Sequence, residues 1–395
     1  MLALFSALLL PAALLLDSSV RAEARDGATM VGQDPRAAAL ALELNGKTAG
    51  PDASLLFGIL PSGVLAEQNQ LFARGYVEVD LRIGSSSAFR MKQRGGYGTV
   101  DLSPIGLAPG TVQTPTPTTP VGLPPASRFV RVQESNSSLE LDLLATRRLR
   151  LLASAGWNVS GGADHDAVLS MPLSRGPEAR ASLEWAATRL DTLRLEATGV
   201  DTRYAGADRS TRVSIATLSA GWRTVPSRDA ELSLSAGGGV GHATSSGTLG
   251  GTPLPEQAHT VPYAVGSAEC KLTGLRDFTA VLGTGVEPVG DALSGDLVER
   301  ASLRASAGWG APGKVAVNAR VSGSVALTSG SLDANAIRSG DRFAQGELSL
   351  NLPLTRRSAI DVGARASWLS RPLLNQPARQ WIAFVGYSAQ VSLLP

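Results

Sequence analysis

A single cysteine, Cys270, stands in a chain of 395 residues, so no intrachain disulfide can form. It lies far from any position for N-terminal lipid attachment and falls at apolar phase in Ala268-Glu-Cys-Lys-Leu272. That is the setting of a small wall residue rather than a reactive thiol. Aromatic residues are scarce too, at 5%, which leaves little to fill the cores of the two or three soluble domains that this length suggests. No apolar run after residue 16 is long enough for a membrane-spanning helix. Neither sign of charge prevails, since 36 basic residues face 34 acidic ones, an argument against nucleic acid or a strongly acidic partner. The chain also lacks a His-Glu-x-x-His pattern and a nucleophile elbow, and nothing in it asks for a cofactor or a metal.

What is present is glycine, 43 residues of it, with much Ala, Ser and Leu and a recurring hairpin unit. From residue 139 to residue 370, an alternating stretch, a tight polar turn and a second alternating stretch follow one another at least six times. The turns read Ala145-Thr-Arg-Arg-Leu149, Thr188-Arg-Leu-Asp-Thr192, Thr224-Val-Pro-Ser-Arg-Asp-Ala230, Thr273-Gly-Leu-Arg-Asp277, Trp309-Gly-Ala-Pro-Gly-Lys314 and Leu354-Thr-Arg-Arg-Ser358. Period-two alternation marks strands. Repeated in one style, it points to a single large up-and-down antiparallel sheet. Small residues suit a barrel wall with lipid on one face and water on the other.

The N-terminus reads as an export signal. Met1 to Leu16 is almost unbroken apolar sequence, and Ala22-Glu-Ala24 fits the small-x-small cleavage rule. The expected division is a signal peptide over 1–24, an N-terminal periplasmic segment over 25–36 and a barrel over 37–395. No Lys or Arg precedes the apolar run, so either the terminal amine serves in its place or the true start lies upstream.

Strands are expected near 37–47, 70–83, 87–102, 129–145, 148–160, 177–188, 191–203, 210–223, 228–241, 259–273, 276–288, 296–309, 313–327, 342–354, 357–370 and 378–394. The count is about 16, within a range of 14 to 18, and even as such barrels require. Ala53 to Ile59 competes with 37–47 for the first strand. In 210–223, Val213 and Ile215 share one parity and Leu218, Ala220 and Trp222 the other, which a β-bulge near Ala216 would reconcile. Longer connections are expected at 103–128, 161–176, 242–258, 328–341 and 371–377. The first holds a Pro/Thr-rich stretch, from Pro109 to Pro125, that cannot pair as a central strand. Short turns on one side and long loops on the other describe a bacterial outer-membrane barrel, the short turns facing the periplasm.

Parity assigns faces. Leu183, Trp185, Leu193 and Leu195 point to lipid, while Arg180, Glu184, Arg194 and Glu196 point to the lumen. The same rule turns Arg300, Arg304, Arg320, Glu347, Asp361 and Arg365 inward, spaced by Ser, Gly and Asn. A lumen of mixed sign solvates the wall whatever crosses it, or offers hydrogen bonds to a hydroxyl-rich solute, and it is poorly suited to strong ion selectivity. All six tryptophans fall near strand ends, Trp157, Trp368 and Trp381 toward the long loops and Trp185, Trp222 and Trp309 toward the short turns. That is the pattern of two interfacial girdles.

Three motifs mimic active sites. Gly308-Trp-Gly-Ala-Pro-Gly-Lys314 lacks the Ser or Thr that a phosphate loop needs after its lysine, and Gly237 to Gly241 is followed by no helix. Asp164-His-Asp166 could activate water or, with His242 and His259, hold a metal, but reads more simply as a turn-forming loop.

With these features in place, the chain resembles the barrels of bacterial exopolysaccharide export systems. The resemblance rests on Tyr97-Gly-Thr-Val-Asp-Leu-Ser-Pro104, the Thr-Arg-Arg turns and the ending Trp381-Ile-Ala-Phe-Val-Gly-Tyr-Ser388. It implies an outer-membrane exit channel for a polysaccharide, with no enzymatic activity, working with a periplasmic polysaccharide-export protein. Outer-membrane lipid and the barrel-assembly machinery are the other expected partners. The last residues, Val391-Ser-Leu-Leu-Pro395, depart from the usual barrel ending by lacking a terminal aromatic. A general diffusion porin is the alternative, followed by a hydrolase built on loops 161–176 and 242–258.

Overall fold

In the computed structural model, the alternating stretches close into one antiparallel sheet of 18 strands. The structure describes residues 15–29, 37–50, 52–65, 69–84, 86–101, 129–206, 209–249, 252–275, 277–290, 297–311, 314–329, 342–370 and 378–392. The strands are β1 (Leu15–Thr29), β2 (Ala37–Ala49), β3 (Ala53–Leu65), β4 (Gln70–Ile83), β5 (Ser87–Asp101) and β6 (Phe129–Leu144). They continue with β7 (Leu149–Gly162), β8 (Leu173–Ala186), β9 (Asp191–Ala205), β10 (Arg209–Ser227), β11 (Ala230–Leu249) and β12 (Thr252–Leu275). The last six are β13 (Phe278–Gly290), β14 (Leu297–Trp309), β15 (Ala316–Ser329), β16 (Arg342–Thr355), β17 (Ser358–Ser370) and β18 (Ala378–Ser392). Each strand pairs with the next, and β1 pairs with β18, so no edge is left open.

The all-β up-and-down architecture is the expected one, at the upper limit of the expected strand count. Two additions make the difference. Residues 37–49 and 53–65 do not compete, because both form strands and pair with each other. Residues 15–29 form β1, hydrogen-bonded to β18 on one side and β2 on the other. This strand includes residue 24, and β2 begins at Ala37, the expected start of the barrel. Asp17, Ser19, Arg21 and Glu23 alternate there with Ser18, Val20, Ala22 and Ala24, a period-two pattern at the end of an apolar run.

Connections at 50–52, 84–86, 145–148, 187–190, 228–229, 276–277, 310–315 and 356–357 lie at one end, with the outer ends of β1 and β18. Threonine builds several of these turns. Thr146 Oγ1 accepts from the N–H of Arg148 at 3.2 Å and of Leu149 at 3.0 Å. Thr188 Oγ1 accepts from Leu190 and Asp191 at 3.1 and 2.9 Å, and Thr355 Oγ1 from Arg357 at 3.1 Å. A hydroxyl that satisfies turn N–H groups is the physical reason the Thr-Arg-Arg style recurs.

At the opposite end, the Pro/Thr-rich loop and the connections at 330–341 and 371–377 fall outside the described residues. The loop expected over 242–258 is instead strand. β11 and β12 pair from Ala230↔Leu272 up to Leu249↔Thr252, so the hairpin stands above its neighbours. The bulge near Ala216 is not there either. The β10 register is continuous against β9 from Ser210 to Thr224, and its one shift against β11 lies between Thr224 and Ser227. Leu218, Ala220 and Trp222 therefore point outward while Val213 and Ile215 point inward.

Candidate transport pathway

A closed sheet has an inner and an outer face, and contacts between non-neighbouring strands identify the inner one. Exposed large apolar side chains, among them Leu151, Leu183, Leu195, Leu218, Leu282, Leu303, Val321 and Leu348, share the opposite parity. The six tryptophans are on that outer face as well. Trp185 and Trp222 lie level with Leu193. Trp222 Nε1 donates to Asp191 Oδ1 at 3.2 Å, so the indole N–H is satisfied beside the turn.

The inner face carries charges of both signs, and register brings them together in a belt. Arg90 on β5 meets Glu78 and Asp80 on β4 and Glu140 on β6. Arg150 on β7 joins Asp142 to Glu184, at 2.5 and 3.6 Å. Arg194 on β9 lies 3.9 Å from Glu184 and also pairs with Glu196, which Arg180 contacts at 2.7 Å. Alternate strands thus supply opposite signs across β4 to β7, while β8 and β9 each carry both. Arg90, Arg150 and Arg194 are each held by more than one carboxylate, which rigidifies the wall more than isolated exposed pairs would. Arg304 pairs with Glu269 on β12, and Arg320 stands in register with Glu347.

On the other side of the barrel the charges are less exposed, and Glu23 and Arg300 are buried. Arg365 binds Glu347 at 2.9 Å and Glu23 at 3.3 Å, and its guanidinium stacks 4.3 Å over the Phe384 ring. Glu23 is 2% exposed and belongs to β1, so this strand contributes to the inner wall. Asp361 accepts from the Asn351 amide at 2.7 Å. Arg300 is buried, in register with Glu287. A cleft of about 450 Å³ opens in the wall nearby, lined by Ser19, Arg21, Glu43, Ser62 and Arg74 and reaching Arg356 and Arg357 at the turn.

Two inward elements narrow the end with the long connections. The first is helix α1 (His165–Ser170), between β7 and β8. Ala167 is buried against Phe72, Val130 and Val132, all on the inner face. Gly161 adopts φ 142, and a Cβ there would lie 2.4 Å from the Pro172 carbonyl oxygen, so only glycine lets the chain turn in at this point. Asp164 is the N-cap, its carboxylate accepting from the Ala167 N–H at 2.9 Å, while His165 and Asp166 are exposed. The Asp-His-Asp cluster is thus capping chemistry. His242 and His259 pair with neighbouring positions on opposite faces of the β11–β12 hairpin, and no group of metal-binding residues forms among the described residues.

The second element is the end of the β13–β14 pair. β12 pairs with β13 only up to Gly266↔Val286, and beyond that point the two part. Leu297 is packed with Tyr204, Val213, Ala243 and Tyr263, which come from the inner faces of β9 to β12. Tyr204 Oη donates to the Gly290 carbonyl oxygen at 3.4 Å, and Glu299 Oε1 accepts from the Ala264 N–H at 3.2 Å. The outer face of the β13–β14 end is thus covered by the inner face of the neighbouring wall. It is tucked into the mouth against β9 to β12, beside the β4 to β7 stretch that α1 covers, and Glu299 satisfies a N–H that the parting leaves unpaired. Sequence parity missed this arrangement. Its one legible sign was the apolar inward pair Val213 and Ile215.

The match to known proteins can now be set beside this geometry. The EpsX exopolysaccharide export family matches over residues 89–393. Similar solved structures include the ferric-catecholate import receptor Fiu of E. coli K12 in its closed form, 8% identical with a TM-score of 0.49, covering 95% of this chain and 82% of the receptor. Another is OccK2 (OpdF) of Pseudomonas aeruginosa in complex with glucuronate, 14% identical with a TM-score of 0.48, covering 96% and 98%. The siderophore receptor PiuA of Acinetobacter baumannii is 8% identical with a TM-score of 0.47, covering 94% and 81%. No curated protein matches the sequence.

Proposed function

The chain belongs to the EpsX exopolysaccharide export family, and on that premise we propose that this outer-membrane barrel is the passive exit conduit for an exopolysaccharide. The observation that carries the reading is the inner face. Eighteen strands leave a water-filled lumen, and its wall is a belt of mutually paired charges spaced by Ser, Gly and Asn. Such a wall offers hydrogen bonds to hydroxyl groups along a moving chain without binding any one sugar strongly. α1 and the tucked β13–β14 end both narrow the mouth, which suits an extended polymer better than a bulky globular cargo. The short turns face the periplasm in this reading, where a polysaccharide-export protein would deliver the chain. The protein is a channel rather than an enzyme.

Planar-bilayer recording tests the conduit. The purified barrel should give discrete conductance steps, and linear dextran oligomers should interrupt the current for times that lengthen with chain length. A folded barrel that conducts no ions, or one whose current dextran never interrupts, would overturn the proposal.

A further inference from the structure

The short-turn rim carries more positive charge than its folding needs. Its described turn residues include Arg147, Arg148, Arg189, Arg228, Lys314, Arg356 and Arg357 against Asp52, Asp229 and Asp277. All seven basic side chains are exposed, and none forms an ion pair among the described residues. Threonine makes the turns, since Thr146, Thr188 and Thr355 accept the turn N–H groups. The arginines between them are therefore not needed for the turn geometry. At the opposite end, the described connecting residues carry Asp164 and Asp166 and no Lys or Arg. The short-turn end, over its described residues, is thus positive, although the chain as a whole is nearly neutral, at +2.

Just inside the positive rim lies the cleft of about 450 Å³, which runs from Arg356 and Arg357 past Arg21 to Arg74. Arg74 is committed to Glu134, at 2.6 Å, and Arg21 lies 3.7 Å from Glu23. The two turn arginines at the cleft's entrance have no such carboxylate. The rim makes an electropositive threshold, and the cleft, where Glu43, Glu23 and Glu134 offset Arg21 and Arg74, leads from it into a balanced lumen. A ring of fixed positive charge raises the local concentration and capture rate of an anionic polymer, and the balanced wall beyond does not retain it.

We propose that the short-turn rim is a capture site for an acidic polysaccharide, one bearing carboxylates such as those of uronic acids. The inference rests on the conduit reading above and names the class of its cargo. The alternatives for so basic a rim are the acidic surface of a periplasmic protein and the phosphates of the adjoining lipid leaflet. The cleft favours the saccharide, because it leads from the basic rim into the lumen, where neither protein surface nor lipid follows.

The test uses the full barrel in bilayers of zwitterionic lipid, with oligogalacturonate and dextran oligomers of matched length added to one side at a time. In 0.1 M KCl, oligogalacturonate at the short-turn side should interrupt the current on the order of tenfold more often than dextran. The preference should fall toward parity in 1 M KCl, where the screening length shrinks to about 3 Å. It should be weaker from the opposite side and lost in R147E/R148E/R356E/R357E. If charge reversal hinders assembly, the neutral R356Q/R357Q variant should show a reduced preference. Equal interruption by both oligomers at low salt would overturn the proposal while leaving the conduit intact. An acid preference that survives charge reversal would overturn it too. So would a reversed variant that blocks export in cells but keeps the preference in bilayers, since the ring would then serve a protein. Absence of any current would count against the conduit itself.

Discussion

Substituting arginine at Leu195 and at Thr198 separates the two faces of one strand. The outer residues of β9 are Leu193, Leu195, Ala197 and Gly199, and the polar Asp201 and Arg203 follow above them. Trp185 and Trp222 stand level with Leu193 and mark the lower interface. Tilted at about 45°, a strand climbs about 2.4 Å per residue along the membrane normal. The apolar band between Leu193 and Asp201 is then about 19 Å tall, and Leu195 sits about 5 Å below its middle. An arginine at the midplane of a barrel costs about 2–4 kcal/mol, falling to about 0–1 at the interface. Leu195→Arg should therefore lose about 2 kcal/mol. Thr198 points inward, where its hydroxyl meets that of Thr217 at 2.5 Å. An arginine there would stand in register with Arg180 but share a face with Glu196, so the cost should stay under about 1 kcal/mol. Urea unfolding from lipid vesicles, followed by tryptophan fluorescence, measures both. Equal losses, or a larger loss at Thr198, would refute the assignment of faces.

Removing Arg365 should cost about 3 kcal/mol in the same assay, because Glu23 is left buried with only Arg21 nearby, and Glu23→Gln in the Arg365→Leu background should recover part of it. Thr188, with Thr224 and Trp222, holds the Asp191 carboxyl at the turn below its ordinary range. A lowered folded-state value means a stabilising contribution present above the usual carboxylate range and lost as pH falls through the folded value. Asp191→Asn should accordingly flatten the acid limb of the urea midpoint plotted against pH. Leu297→Asp should detach the β13–β14 end from Tyr204 and Tyr263 and raise single-channel conductance, and a folded variant with unchanged conductance would argue against the tuck. Cys270 is in register with the outward Leu232 and Leu282, so a lipophilic maleimide should label it in vesicles while a charged one does not.

β2 and the strands from β4 onward were legible because lipid demands an apolar outer side chain at every second position. Where that demand lapses, so did the reading. Above the band, His242, Thr244 and Ser245 continue β11 with no apolar alternation, and the segment passed for a loop. The supposed bulge at Ala216 arose from assuming that apolar means outward. Val213 and Ile215 are apolar because another part of the wall covers them. β1 was obscured by an apolar leader-like run, and β3 by an unbroken Leu-Leu-Phe-Gly-Ile-Leu stretch followed by Pro61. The charged inner residues could be placed by parity alone. Their partners depend on register between strands, and the tuck of β13–β14 depends on contacts between strands that are not neighbours. Neither leaves a periodic trace in the sequence.

The central claim is that polysaccharide leaves the cell through this barrel, and the most direct measurement is the distribution of polymer in a deletion strain. The account predicts loss of surface polysaccharide with polymer retained in the periplasm, unchanged uptake of small solutes, and restoration by the wild-type gene. Normal surface polysaccharide in the deletion strain, or a defect confined to small-solute uptake, would contradict it.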